Sequence, residues 1–564
     1  MPLKTSSFFF CFTFLFYGLI HADSSSYATR PVVKAKNGML ATSHPLATKI
    51  GLQIIKDGGN AIDAAIAANA ALGLMEPTGG GIGGDLFAIV WSAKDKKLYG
   101  LNASGRSPQL LTWDYFREHN LNRVPYSGPL PVTVPGCVDG WFELHGKFGK
   151  LPMKEILAPA IKYCREGFEL TPIIARHWSY GDDLIKQPNF ASTFFPNGRS
   201  PKEGESFKNP DLGNTLEIIA QEGRDAFYKG SLAKRMDAFS KKHGHFLRYE
   251  DLASHKSLWV EPLKSNYRGY DIWELPPNTQ GIAALQMLNI LEKYELRSWG
   301  HNSAKTLHHM VEAKKLSYED RTKYYADPQL SPAPLKGLIS KEYADARRQL
   351  INSEKVSEHF EPGNPILQNG DTVYLSVGDK EGNMISFIQS NYAGFGSGVV
   401  PDGMGFSFQD RGALFNIRDK NHPNAYAPGK LPFHTIIPAF ITKDGAPWLS
   451  FGLMGGAMQP QGHVQIVCNL IDFDMNLQEA CDAPRFRHYG SSTSTGYKMS
   501  DSGTLRLEKG VSSESIEKLR SMGHDVRPNS RSGFGGFQGV IWDKENKTYI
   551  GASESRKDGH AEGY

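Results

Sequence analysis

"LQNGDTVYLSVGDKEGNMISFIQSNYAGFGSG", residues 367–398, is the stretch from which the fold can be read. Tyr374, Ser376 and their neighbours alternate toward a turn at Asp379–Asn383, and a second run, Met384–Gln389, leads back, which predicts a β-hairpin. A loop of Asn369, Gly370 and Asp371 delivers the chain into a strand that opens on Thr372. Threonine favours strands, so from spacing alone Thr372 is a structural residue. Three more segments have the same build: 86–103, 439–452 and 539–552. Antiparallel hairpins with helical stretches on either side predict an α/β protein of stacked sheets covered by helical layers.

Outward from the hairpins, "HPLATKIGLQIIKDGGNAIDAAIAANAALGLMEP" (44–77) predicts two helices. The first stops at Gly58-Gly59; the second is capped by Asn60, with Asp63 where the helix dipole favours a negative charge. Residues 150–360 read as mainly helical from apolar spacings of three and four. "GSSTSTG" (490–496) reads as an exposed loop.

The chain of 564 residues is 40% hydrophobic and 22% charged, with a formal net charge of +4. Its basic residues are dispersed, so it lacks the clustered footprint that a nucleic-acid partner requires. Lys4, an apolar stretch from Phe8 to Ile20 and a small residue, Ala22, before a polar run have the build of a cleaved export signal, residues 1–22. The apolar part is about 13 residues where a span needs roughly 20, so no stable membrane span is expected after cleavage. The expected location is exported, periplasmic or secreted. Cys137, Cys164, Cys468 and Cys481 remain in the mature chain; none forms a CxxC pair, and the sequence does not pair them.

"GGGIGGD" (79–85) matches G-x-G-x-x-G, but follows a helix and enters a strand, the reverse of a dinucleotide site. A tight backbone crossing and a pocket-lining loop both remain open. No G-x-S-x-G elbow, P-loop or H-E-x-x-H occurs. His308-His309 point in different directions on a helix, and His434 and His463 read as structural histidines. In "FGLMGGAMQPQGHVQIVCNLIDF" (451–473), Gly455-Gly456 stand between a strand and a helix, where backbone N–H groups can face an anion; a plain turn fits equally.

Several motifs in order resemble the γ-glutamyltranspeptidases, members of the N-terminal-nucleophile hydrolases. They are "GGNAIDAAIAANAALGLMEPTGGGIGGDLF", "SGRSP", "VPGCVDGWFELHGKFGKLP", "GDTVYLSVGDKEGN", "MGG", "NLQEACDAPRF" and "GASESRKDGHAEGY". The resemblance implies a four-layer αββα sandwich of two stacked antiparallel sheets. It also implies autocleavage between Asp371 and Thr372 into a large subunit (23–371) and a small subunit (372–564) that form a heterodimer. Thr372 would then be the nucleophile, with its freed α-amine, of pKa near 8, as built-in base. By the same resemblance Gly455 and Gly456 supply oxyanion-hole amides, Ser390 supports the nucleophile, and Arg106 clamps a substrate carboxylate.

The implied substrate is a glutathione-like γ-glutamyl compound, with water or an amino acid or peptide as acceptor. No metal or organic cofactor is implied. The substrate-binding places hold Tyr392, Arg411, Leu414, His434 and Thr435 where the family typically has Asn, Gln, Asp and Ser-Ser, with Asp410 nearby. Those departures make a glutaryl or cephalosporin-type acylase the alternative enzyme. A non-catalytic exported binding protein is the alternative of another class.

Overall fold

The computed structural model describes residues 27–365 and 375–564. The export signal, Asp371 and Thr372 lie outside the described residues. Two seven-stranded sheets form the centre. Across the first run Val33–Ala35, Thr548–Ser553, Gly536–Asp543, Ala446–Met454, Ala439–Lys443, Tyr270–Glu274 and Leu263–Tyr267. Across the second run His560–Gly563, Gly38–Thr42, Leu375–Asp379, Met384–Ser390, Asp85–Ser92, Lys97–Ala103 and Leu258–Val260. Every pairing within both sheets is antiparallel.

The layering can be read from one strand. Asp85–Ser92 is buried along its whole length. Leu86, Ala88 and Val90 pack with the helices Pro45–Lys56, Ala61–Met75 and Cys137–Phe148 on one side. Phe87, Ile89 and Trp91 face the other sheet's Phe440 and Phe451, in a core shared with the helices Gly281–Leu291, Ala304–Tyr324 and Gln459–Ile471. Successive side chains point to opposite faces, so a strand with both faces covered must be apolar throughout. The result is the αββα sandwich. The sheets are also joined by polar contacts: Ser376 Oγ donates to the Ser450 carbonyl at 2.9 Å, and Tyr549 to the Asp379 carbonyl at 2.7 Å.

The expected hairpins form, and turn chemistry accounts for them. Leu375 pairs with Phe387 and Gly378 with Met384. The Asp379 carboxylate accepts from Asn383 N at 3.0 Å within the turn and from Ala61 N at 3.0 Å, tying the turn to the start of a covering helix. Between Ala439–Lys443 and Ala446–Met454, Asp444 (φ +51°) and Gly445 (φ +71°) take the left-handed backbone that a tight two-residue hairpin demands. Asn60 caps its helix reciprocally with Asp63, as its position suggested.

Three readings need correction. The stretch 258–274, read as part of a helical region, holds three strands that complete the sheet edges: Leu258–Val260, Leu263–Tyr267 and Tyr270–Glu274. These strands are three to five residues long, too short to register against helical periodicity. The serine-rich loop at 490–496 is held in place rather than exposed: Ser492 N donates to Glu319 at 3.0 Å, and Asn424 to the Ser494 carbonyl at 3.2 Å. The four described cysteines are free and buried. No helix among the described residues is long and apolar enough to cross a membrane.

Candidate active site

Strand Ala446–Met454 ends at the wall of a cavity of about 330 Å³. Gly455 (φ +127°) and Gly456 (φ +61°) turn the chain there into a short 3-10 turn and the helix Gln459–Ile471. Both φ values are ones that L side chains rarely adopt, which is why glycines occupy the turn. The turn is fixed by its carbonyls: Gln280 Nε2 donates to Gly456 O at 3.0 Å, and Tyr318 donates to Ala457 O at 2.5 Å. A helix N-terminus beside a cavity favours negative charge on whatever occupies it.

A Cβ at Gly455 would lie 3.1 Å from the Gly535 Cα and 3.2 Å from the Met458 Cβ, on a backbone angle disfavoured for alanine. Gly455→Ala is therefore expected to strain the turn by about 1–3 kcal/mol. Displaced amides would lower kcat roughly tenfold to a hundredfold with little change in KM, measured by steady-state hydrolysis.

Leu375, Ser390, Tyr392 and Thr435 line the same cavity. Ser390 ends strand Met384–Ser390, and its hydroxyl accepts from Tyr392 N at 2.8 Å. The preceding residue, Gln389, grips the glycine loop through Gly81 N (2.8 Å) and Gly81 O (2.5 Å). Both readings of that loop apply. A Cβ at Gly84 would meet the Ser390 carbonyl at 2.4 Å, so the backbones do cross closely; Gly79 and Gly80 line the cavity.

Tyr392 and Thr435 also cover a buried charged cluster. The Tyr392 ring lies 4.7 Å from the Arg411 guanidinium carbon, and Arg411 Nη1 donates to Thr435 Oγ1 at 2.9 Å. Behind them Asp85 accepts from His434 Nε2 (2.8 Å), Gln409 Nε2 (2.8 Å) and Gly105 N (2.9 Å), with Arg411 Nε at 3.9 Å. Burial pushes the Asp85 carboxyl up to about 7, against the pull of Arg411. Burial, aided by Arg411, holds His434 far below its ordinary range, so a neutral imidazole donates to Asp85.

Asp410 is fully buried; its Oδ1 accepts from Ala393 N at 2.9 Å, and its Oδ2 has no hydrogen-bond partner among the described residues. Burial raises its pKa to about 7, against the opposing Ala393 amide and Arg411. The unfolded chain would release this proton near pH 4. The folded state therefore holds more protons between about 4 and 7, and the group's contribution to stability is lost as pH rises through that window. Asp410→Asn is expected to recover roughly 2–4 kcal/mol at pH 8 and little at pH 4. Urea midpoints at both pH values test this; Asp85 shifts the same way, so wild type keeps a residual slope that the variant shares.

The structure thus gathers Ser390, Tyr392, Thr435, Gly455 and Gly456 at one cavity, with Asp410, Arg411 and His434 in the cluster that Tyr392 and Thr435 cover. It does not bring Arg106 there. That guanidinium donates to Asp327 (3.0 Å), the Gly429 carbonyl (2.9 Å) and Gln329 (2.8 Å), beside a different cavity. Sequence reasoning missed Glu76, Lys557 and Ser43, which also line the main cavity. Lys557 Nζ donates to Glu76 at 2.7 Å and Ser43 donates to the other carboxylate oxygen. Burial alone would raise the Glu76 pKa, but Lys557 and Ser43 outweigh it and hold the carboxylate ionised.

Comparison with known proteins places this geometry. A profile described as Gamma-glutamyltranspeptidase matches residues 47–564. The glutathione hydrolase-like YwrD proenzyme of Bacillus subtilis (strain 168) is 36% identical over 86% of this chain and 91% of its own. The glutathione hydrolase proenzyme of Escherichia coli (strain K12) is 32% identical over 93% and 91%. A crystal structure of cephalosporin acylase from Bacillus halodurans superposes with a TM-score of 0.88 at 42% identity, covering 95% of this chain and 97% of that one. With a match that runs nearly end to end in sequence, and a sandwich and glycine turn consistent with it, this chain belongs to the gamma-glutamyltranspeptidase family.

Proposed function

We propose that the chain is a self-processing enzyme that cleaves γ-glutamyl amide bonds, those of glutathione-like compounds included. The acyl group would pass through Thr372 to water or to an amino acid or peptide. The observation that carries this reading is that Leu375 and Gly455-Gly456 share the wall of one cavity. Chain geometry keeps the Thr372 Cα within about 11 Å of the Leu375 Cα.

In this reading the Thr372 hydroxyl adds to the Asp371 carbonyl, the C–N bond between them breaks, and an ester forms with a free α-amine. Water hydrolyses that ester and leaves Thr372 at a new terminus. During turnover the α-amine takes the hydroxyl proton as Oγ attacks the γ-carbonyl; the substrate's C–N bond breaks and the amine departs with a proton. The Gly455-Gly456 turn would face the oxyanion. The halves 23–371 and 372–564 stay together as a heterodimer, and residues 1–22 direct export to a periplasm or the exterior.

A glutaryl or cephalosporin-type acylase is the second reading. It is favoured by the 42% identity to a cephalosporin acylase. In addition, Glu76 is the one carboxylate among the described residues lining the cavity, and Lys557 already engages it. A substrate α-amine would have to compete with that lysine.

Intact mass with N-terminal sequencing, followed by hydrolysis of γ-glutamyl against glutaryl anilides, tests the proposal. Two chains, one beginning at Thr372, and a preference for the γ-glutamyl compound are expected. A glutaryl preference selects the acylase, and a chain that stays intact and inert selects an exported binding protein.

A further inference from the structure

A second groove of about 540 Å³ adjoins the main cavity, and His177, Tyr180, Met454, Gly455 and Lys557 line both. Its outer wall is basic. Arg176 comes from the helix Pro172–Trp178, and Arg531 from the loop between strands Asp525–Arg527 and Gly536–Asp543. The remaining charges of the wall are matched. Arg556 pairs with Glu508 and Glu554, Arg485 with Glu554, and Lys557 with Glu76. Neither Arg176 nor Arg531 makes an ion pair with any described residue, and both are exposed. Burial keeps His177 below its ordinary range, so it adds no fixed charge.

The wall is also held against the glycine turn. The Gly535 Cα would lie 3.1 Å from a Cβ at Gly455. The Arg531 loop is fixed where the Phe534 carbonyl accepts from Arg485 (2.9 Å) and the Gly533 carbonyl from Arg487 (2.5 Å). The Arg176 helix is fixed where the Asp558 carboxylate accepts from Ile173 N (2.8 Å) and Ile174 N (3.0 Å), next in sequence to Lys557. Two unmatched guanidinium groups, on supports anchored to the reaction site, suit a carboxylate ligand.

From this we infer that the groove is the subsite for the amine half of the reaction, and that Arg176 and Arg531 recognise a carboxylate on the departing or accepting amine. The ligand class is a carboxylate-bearing amine, such as an amino acid or short peptide, in preference to an uncharged one. The inference rests on the proposed acyl transfer but not on which acyl group is carried.

Four compounds test it: γ-glutamyl-Ala-Gly and glutaryl-Ala-Gly, each as the free acid and as the C-terminal amide. Within whichever acyl series is turned over, wild-type kcat/KM is expected to favour the free acid about tenfold, and less so at 1 M salt. Arg176→Gln/Arg531→Gln should bring the acid-to-amide ratio near one, and Arg176→Lys/Arg531→Lys should restore most of it. A ratio that is near one in wild type, or unchanged in the Gln variant, overturns the inference. If neither series is turned over, the proposed function falls. Calorimetric titration of Ala-Gly against its amide then decides the groove: acid-selective binding lost in the Gln variant upholds it, and no acid-selective binding overturns it.

Discussion

Thr372→Ala is expected to leave the precursor uncut and to lower turnover of a γ-glutamyl amide by on the order of 10⁴-fold or more. Both losses have one cause. Alanine has no hydroxyl to add to the Asp371 carbonyl, so no ester forms, no new terminus is released and no α-amine becomes available as base. Thr372→Ser should cut more slowly and keep measurable activity, because it retains oxygen and amine. The two outcomes are read by denaturing gel, intact mass and anilide hydrolysis on the same preparation. A Thr372→Ala protein that is nevertheless cut before residue 372, or that turns over at more than a hundredth of the wild-type rate, would sink the assignment.

Asp85→Ala is expected to destabilise the fold by about 3–5 kcal/mol. Its side chain is fully buried and accepts from His434, Gln409 and the Gly105 amide, with Arg411 at 3.9 Å. Removing it leaves several donors and a guanidinium inside the protein with a central acceptor gone. Desolvated groups without partners account for most of such a cost. Asp85→Asn should cost less, about 1–2 kcal/mol, because it keeps one acceptor oxygen and mispairs only on the His434 side. Urea unfolding of both variants at one pH gives the comparison. A loss of under 1 kcal/mol for the alanine variant would mean that the cluster rearranges freely.

How much of this was legible beforehand depended on the range of the signal. Local chemistry carried well. Asp444-Gly445 announces a hairpin by itself, and Asn60 with Asp63 announces a helix start. The strands at 258–274 did not show, because five residues or fewer beside long amphipathic helices leave no period to detect. At the site, the motifs that met at the cavity were those whose backbone is unusual, Gly455-Gly456 and the Ser390–Tyr392 bend. The Glu76–Lys557 pair joins residues 481 apart, and neither residue type is distinctive in its own surroundings. Arg106 illustrates the converse: its motif is recognisable, but only the fold shows that Asp327 and Gln329 take its donors.

The strand order of the two large sheets has a consequence for the protein once it is cut. In one sheet, Gly38–Thr42 is flanked by His560–Gly563 and Leu375–Asp379, and Met384–Ser390 is followed by Asp85–Ser92. In the other, Tyr270–Glu274 borders Ala439–Lys443, and Val33–Ala35 borders Thr548–Ser553. The pieces before and after residue 371 are woven through each other, so they share a single interior rather than meeting at a surface. Dilution has nothing to dissociate, and neither fragment retains a shape of its own: the nicked molecule must melt as one body, and once melted, its separated pieces would have no template from which to reassemble.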